Sequence, residues 1–432
     1  MKRRNLLKAL ASAPIFGSPL LAGASKKTTR LGKGGPTKKL VVLFQRGGCD
    51  GLNMLVPVEP TQNGYYHNLR PTIGLGSNNL SNVNGSGFFA VHAALNPLVP
   101  LINAGNCTMV HAVGYPNPDR SHFEAQSFFE TAVPGSGLLD GWLNRYLSTT
   151  QGPGQGLIRG ISIGWNIPQS VTGTVPVPVS TNFGTAELEV DPQLNGADAD
   201  AYRQKIRDAL ALPPTAGNDD VYSTGNKIFD MIDSFQDRNL NNYAPENGAV
   251  YPSTGLGNRI MHAAQMLKDD VNPLGIEVVA IDQGGYDTHS NQLNPNSPGN
   301  PANGQAYLFT DLAQSMAAFY QDMGSVRMDD ILFVVVSEFG RRAYENNSYG
   351  TDHGSASVAV IMGNAVGGGL LNGDGNWPGL HQNDLLHGGD LDWVTDYRDI
   401  YWEILSSHMG VSNADLAAII PGHAYTPVGV IP

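Results

Sequence analysis

Ile331-Leu332-Phe333-Val334-Val335-Val336-Ser337-Glu338 is the most apolar run in the chain, and it ends on a carboxylate. The run leaves no polar face for water. An unbroken stretch of branched and aromatic side chains is how a strand covered on both faces reads, and such strands belong to sheets with helices on either side. Five further runs share the pattern: Leu40–Gln45, Thr108–Val113, Ile158–Ile163, Ile276–Ile281 and Ser357–Met362. Helical periodicity falls between and after them. Gln305–Met323 carries Leu308, Leu312, Met316, Phe319 and Met323 at three- and four-residue spacing, Ile260, Ala264 and Leu267 form a shorter stripe, and Tyr397, Ile400, Tyr401 and Ile404 form another. Alternation of strand and helix predicts an α/β fold, a mainly parallel sheet sandwiched by helices, with the strand order left open. Asn166–Pro214, Asn239–Leu256 and Gly363–Asp392 read as irregular, with a polar helix between the first two. Residues 166–256 are expected to form a cap insertion.

The 432 residues include 26 basic and 38 acidic side chains, a formal charge of −12. Charged residues are 15% of the chain against roughly 25% in an average soluble protein, while hydrophobic residues are 41%. That composition builds a core and excludes a disordered acidic tail. The 52 glycines follow no three-residue period, which excludes collagen. The markedly basic stretch is the first one, Met1-Lys2-Arg3-Arg4-Asn5-Leu6-Leu7-Lys8, followed by a mild apolar run that ends at Ala22-Gly23-Ala24. These are the parts of a secretory signal, and the paired arginines resemble a twin-arginine signal. The expected organisation is a signal peptide over 1–24, a linker over 25–38 and an α/β domain over 39–432, exported to the periplasm or beyond through the twin-arginine machinery. Cleavage after Ala24 removes four basic residues and takes the charge from −12 to −16, which argues against nucleic-acid partners. No later apolar run is long enough for a stable membrane span. Cys49 follows the first strand and Cys107 precedes the next, so parallel strands put them at opposite sheet edges, too far apart for a disulfide.

Four places carry groups suited to chemistry, and each also has a plain reading. Asp50, in Arg46-Gly47-Gly48-Cys49-Asp50-Gly51, follows the first strand and is otherwise an Asp-Gly turn. Ser121, in Asp119-Arg120-Ser121-His122-Phe123-Glu124, follows the second. With Glu124 it fits a capping box, and a hydroxyl at a helix start also suits a nucleophile. Asp287-Thr288-His289 follows Ile276–Ile281 and is otherwise a polar loop. Glu338 ends the run quoted above, with Arg341 and Arg342 as salt-bridge partners in the plain reading, and Asp352-His353 comes shortly after. Their positions agree: the carboxyl edge of an open parallel sheet is its binding edge, so groups collected from several strand ends are expected to meet. Oxygen ligands with one or two imidazoles suit Zn²⁺, Mn²⁺, Mg²⁺ or Ca²⁺.

Gly47-Gly48-Cys49-Asp50-Gly51-Leu52-Asn53, Arg120-Ser121-His122-Phe123-Glu124-Ala125-Gln126, Gly141-Trp142-Leu143-Asn144-Arg145-Tyr146, Asp287-Thr288-His289, Ser337-Glu338-Phe339-Gly340-Arg341 and Gly350-Thr351-Asp352-His353-Gly354 together resemble the secreted domain-of-unknown-function family 1501, in order along nearly all of the expected mature chain. That family is in turn similar to the alkaline phosphatase and sulfatase superfamily. The resemblance implies one or two divalent metal ions at the carboxyl edge of the sheet, with Asp50, Asp287, His289, Glu338, Asp352 and His353 as ligand candidates and Ser121 as nucleophile. Three departures stand out: Glu338-Phe339 stands where the phosphatase pattern has Asp-His, Asp287-Thr288-His289 replaces the usual Asp-x-x-x-His, with Asn291 at the place of that His, and no formylglycine pattern follows Ser121 or Cys49. The expected activity is metal-dependent hydrolysis of a phosphate or related anionic ester, small or borne on a polymer, with Arg46, Arg120 or Arg341 neutralising the anionic oxygens. The competing expectation is a secreted binding protein that keeps the hydrolase fold without catalysis.

Overall fold

The computed structural model describes residues 38–432 apart from 153–155, 157, 192, 214–218, 237–239, 269–273 and 293–303. The expected signal peptide and all but the last residue of the linker lie outside the described residues. All six runs read as strands are strands of one nine-stranded sheet. In chain order they are β1 (Lys39–Gln45), β2 (Cys107–Gly114), β3 (Gly160–Ile163), β4 (Val179–Ser180), β5 (Val278–Gln283), β6 (Ile331–Ser337), β7 (Ser357–Met362), β8 (Gly369–Leu371) and β9 (Thr395–Asp396). The order across the sheet is β8-β2-β7-β6-β1-β5-β3-β4, with β9 also beside β2. The three short strands β4, β8 and β9 do not stand out in the sequence. Neither does a small antiparallel sheet of Leu55–Pro57, Phe89–His92 and Leu80–Ser81.

Register follows from apolarity on both faces. Val41 lies level with Phe333 on one side and Val279 on the other, and all three enter one core. Their neighbours Leu40, Leu332 and Val278 point the other way into a second core. A slip of one residue would exchange the two sets and lose both packings. The helices α3 (Gly255–Leu267) and α4 (Gly304–Met328) supply Ile260, Leu267, Leu312 and Phe319 to the first core. On the opposite face, α1 (His122–Thr131), α2 (Trp142–Thr149), α5 (Tyr397–Glu403) and α6 (Asn413–Ile419) supply Phe129, Trp142, Tyr401 and Leu416. The α/β sandwich is therefore the observed architecture.

Strand β7 pairs antiparallel with both β2 and β6, whereas β1, β2, β5 and β6 run in one direction. The residues just before β7 thus arrive at the same edge as the residues just after β1, β2, β5 and β6. Asp352-His353 gets there only because β7 is reversed. The cysteines lie at opposite ends of their strands, with β6 and β7 between β1 and β2, and both are buried and free.

The stretch 166–256 is more regular than its turn residues suggest. Gly196–Ala211, inside the stretch read as irregular, is a helix, and Ile206 and Leu210 pack it against Ile228, Phe229 and Ile232 of Asp219–Gln236. Its apolar stripe is too narrow to stand out among Asp, Arg, Gln and Lys. No helix among the described residues is long and apolar enough to cross a membrane.

Candidate metal centre

Three imidazoles and one carboxylate meet beyond the carboxyl ends of β2, β5 and β6. Asp287 Oδ1 lies 3.0 Å from His289 Nε2 and 3.1 Å from His353 Nε2, and Asp287 Oδ2 lies 3.4 Å from His122 Nε2. The two nitrogens His289 Nε2 and His353 Nε2 are 3.0 Å apart. His122, Asp287 and His353 each bring one ligand atom within 4.8 Å of the others.

The second nitrogen of every ring is fixed. His353 Nδ1 faces the backbone carbonyl of Arg120 at 2.7 Å, His289 Nδ1 faces Asp352 Oδ1 at 2.8 Å, and His122 Nδ1 faces Glu338 Oε1 at 2.9 Å. A carbonyl or an ionised carboxylate only accepts, so each Nδ1 donates its proton. In the neutral rings all three Nε2 atoms then carry bare lone pairs. Two lone pairs facing each other at 3.0 Å beside a carboxylate repel unless an added proton or a metal cation sits among them. His122 Nε2 is also buried and has no hydrogen-bond partner. Imidazoles turned by a carboxylate or carbonyl behind Nδ1 are the usual outer arrangement of a metal site, and the donor set fits a divalent cation.

The surroundings set the charges. Burial works against the Asp287 carboxylate, but the Arg341 guanidinium at 2.7 Å and His353 outweigh it and hold its carboxyl well below the usual range. Burial likewise opposes ionisation of Glu338. Hydrogen bonds from His122, from Gln126 Nε2 at 2.9 Å and from the Gly47 amide at 2.8 Å hold it below its ordinary value. The hydrogen bond to Glu338 raises His122, against the opposing effect of burial. Asp352 is lowered chiefly by His289. Gly47 has φ +117°, and a Cβ there would come within 2.5 Å of the Asp287 amide, so glycine is required where the first loop passes the Asp287 loop. The Phe339 ring packs 4.9 Å from both His122 and His353.

Of the residues singled out from the sequence, Asp287, His289 and His353 converge. Glu338 and Asp352 stand one shell back, each holding an imidazole. Asp50 lies apart: it is fully buried and both its oxygens are taken by Arg70, Oδ2 at 2.7 Å and Oδ1 at 3.0 Å. Arg341 is 1% exposed, and its donors are spent on the Gly47, Gly48, Tyr286 and Thr351 carbonyls and on Asp287, so it ties loops together. Arg120 and Arg342 share the buried Asp390, with Arg120 Nε 3.0 Å and Arg342 Nε 3.3 Å from its oxygens. Arg46 pairs with Glu130 and Asp282. Ser121 is exposed at the N-cap of α1, but its side chain makes no capping hydrogen bond, so the expected capping box does not form. Its amide instead donates to Asp119 Oδ1 at 2.6 Å. His122 is the ligand-type residue that the sequence reading passed over. It begins the helix that follows β2, one place after Ser121, and the strand-end rule that selected Ser121 selects it equally.

The fold is similar to a protein of the alkaline phosphatase superfamily from Vibrio parahaemolyticus, with 12% identity and a TM-score of 0.29 over 86% of this chain and 71% of that one. It is also similar to a phosphonate monoester hydrolase of Agrobacterium radiobacter, with 10% identity and a TM-score of 0.27 over 75% and 68%. Both likenesses are remote. No curated protein matches the chain. One family model matches residues 115–419, a span that takes in His122, Asp287, His289, Glu338, Asp352 and His353, and the chain belongs to that family, described as Protein of unknown function (DUF1501).

Proposed function

We propose that the chain is an exported, divalent-cation-dependent hydrolase of phosphate or related anionic esters. The observation that carries this reading is the convergence of three imidazole Nε2 atoms on the Asp287 carboxylate. Three nitrogens and one oxygen favour a single ion, Zn²⁺ first and Mn²⁺ next, over Mg²⁺ or Ca²⁺. A cation bound there supplies Lewis acidity toward an ester oxygen.

The chain's own groups have distinct parts. Ser121 presents an exposed hydroxyl next to His122 and is the proposed nucleophile, with the alcohol of the ester as leaving group. The first turn of α1 leaves N–H groups without intrahelical acceptors, and these suit anionic oxygens. Arg120 and Arg342 around one buried Asp390 leave one net positive charge beside the centre, and the Arg120 side chain is 36% exposed. Arg341 is a positioning residue. Export by the twin-arginine route is part of the proposal: changing both Arg3 and Arg4 to Lys should leave unprocessed precursor in the cytoplasm.

The test is metal analysis of the native protein, followed by assays on phosphomonoesters, phosphodiesters and sulfate esters with and without chelator. Expected are about one Zn²⁺ or Mn²⁺ per chain, chelator-sensitive turnover of at least one ester class, and loss of that turnover in Ser121→Ala. Bound metal with no turnover favours the binding-protein reading, which the saturated Arg341 supports. A native protein free of metal ends the hydrolase proposal.

A further inference from the structure

Gln292 joins the two loops that carry three of the four converging groups. It lies three residues beyond His289 and is fully buried. Its Oε1 accepts from Thr288 Oγ1 at 3.1 Å and from Thr351 Oγ1 at 2.5 Å. Thr288 stands between Asp287 and His289, and Thr351 immediately precedes Asp352-His353. On the other side, Gln292 Nε2 donates to Asp50 Oδ2. That carboxylate is itself immobilised by Arg70, and the Asp50 amide donates to Gln305 Oε1 at 3.0 Å. Gln305 closes the circle by donating from Nε2 to Thr288 Oγ1 at 2.7 Å.

The orientation of the Gln292 amide follows from its partners. Asp50 only accepts, so the nitrogen faces it and the oxygen faces the two hydroxyls. Backbone bonds run in parallel with the side-chain clamp: Thr351 N donates to Thr288 O at 3.2 Å, and Gln292 N to Tyr349 O at 2.8 Å. Leucine at 292 would leave two hydroxyls and a carboxylate oxygen without their buried partner. Glutamate would set a second carboxylate against Asp50. Only an amide offers an acceptor for both threonines and a donor for Asp50 in the same plane, and asparagine is one methylene shorter.

We infer that Gln292 is a positioning residue that presets the separation between the Asp287/His289 loop and the His353 loop, and so sets the affinity for the divalent cation. The inference rests on the metal-centre reading above. It also gives Asp50 a part in the site, as the anchor of the clamp.

The experiment uses the full chain with Zn²⁺ alone, titrated against a chromophoric chelator, for wild type, Gln292→Leu, Gln292→Glu and the double variant Asp50→Asn/Gln292→Glu. Thermal unfolding of each in excess chelator runs alongside. Gln292→Leu and Gln292→Glu are expected to weaken Zn²⁺ binding by about 10- to 100-fold, the range for residues that orient metal ligands. The double variant restores a donor opposite an acceptor at unchanged net charge but leaves Arg70 Nη1 one acceptor fewer, so it should regain part of the Zn²⁺ affinity lost in Gln292→Glu while remaining less stable than wild type. Unchanged affinity in Gln292→Leu overturns the inference. So does a loss that merely tracks thermal stability across the set, with no recovery in the double variant. If Gln292→Leu does not fold, Thr288→Val, which removes one hydroxyl from the clamp, takes its place under the same criteria. A wild type that binds no Zn²⁺ defeats the metal-centre reading itself, a separate result.

Discussion

Asp50 and Asp287 follow neighbouring, directly paired strands, yet the two regions around them have opposite characters. The ends of β1 and β5 are level, Gln45 beside Gln283, and each acid sits in a loop rich in glycine. Asp50 is sealed, with Arg70 on both oxygens and an immediate shell of Asn53, Tyr66 and Gln292. Asp287 has a side chain 48% exposed and faces three imidazoles. The decisive difference comes from elsewhere in the chain. Arg70 caps the end of the helix Pro60–Leu69 and delivers a permanent cation to Asp50. The centre around Asp287 has Arg341 on one oxygen only and still holds an excess of lone pairs. A strand end makes a carboxylate eligible for a site, and the nearest fixed cation decides whether it is used up.

The sharpest way to break this comparison is Asp50→Ala. It strands a fully buried guanidinium, and removal of one partner of such a pair costs about 3–5 kcal/mol. Calorimetry on the metal-free protein should register the loss, and a stability equal to wild type would mean that Asp50 and Arg70 are not the sealed pair described above. Asp287→Ala is expected to do the reverse. It should cost the fold less, because Arg341 keeps four backbone carbonyl acceptors, while weakening Zn²⁺ binding by more than the roughly 100-fold reached when a group that only orients a ligand is changed, with Glu338→Gln inside the range of about 10- to 100-fold. Equilibrium dialysis gives both numbers, and equal losses in the two variants would erase the distinction between ligand and support.

Acid should also act on the sealed region. His92 and His111 lie within the influence of Asp50, and burial depresses them from 6.5 to about 4 and about 3. Both stay neutral in the fold, while their unfolded counterparts take up protons near pH 6.5. Below that pH the unfolded chain binds more protons, so stability falls as pH drops from 6.5 toward the folded values. The loss is roughly 1 kcal/mol per histidine between pH 6.5 and 5.5. Burial lowers His262 and His408 as well, so urea midpoints in excess chelator at the two pH values measure a sum, from which His111→Leu should remove its own share of roughly 1 kcal/mol.

The sheet was legible because Ile331–Val336 and its companions are apolar on both faces, a requirement that leaves its mark on every residue of a strand. Strands of two or three residues leave no such mark, which is why β4, β8 and β9 stayed hidden. The site was legible as a set of strand ends but not as roles. Nothing in Ser337-Glu338-Phe339 says that the carboxylate turns toward an imidazole and the ring packs beneath two, and nothing in Cys49-Asp50-Gly51 announces Arg70, twenty residues on. His122 was hidden by its neighbour, since one strand end was credited with one functional group. The reversed direction of β7, which brings His353 to the centre, is a property of the assembled sheet and of no local stretch.

The smallest effect expected is on the stability of Ser121→Ala, and its smallness is informative. Ser121 occupies the N-cap of α1 with extended backbone, where a serine hydroxyl ordinarily accepts from the helix and its loss costs about 0.5–2 kcal/mol. Here the side chain makes no capping hydrogen bond, and the preceding Asp119 takes the Ser121 amide instead. Ser121→Ala should therefore shift stability by no more than a few tenths of a kcal/mol, within the usual spread of surface substitutions. Asp119→Ala, which frees that amide, should cost more. Chemical denaturation of the pair decides the matter: a loss of 1 kcal/mol or so in Ser121→Ala would return the hydroxyl to the helix as a cap and make it unavailable to a substrate. A silent substitution leaves Ser121 a group exposed at a helix start beside His122 with no structural employment, the condition under which its proposed part in ester cleavage makes sense.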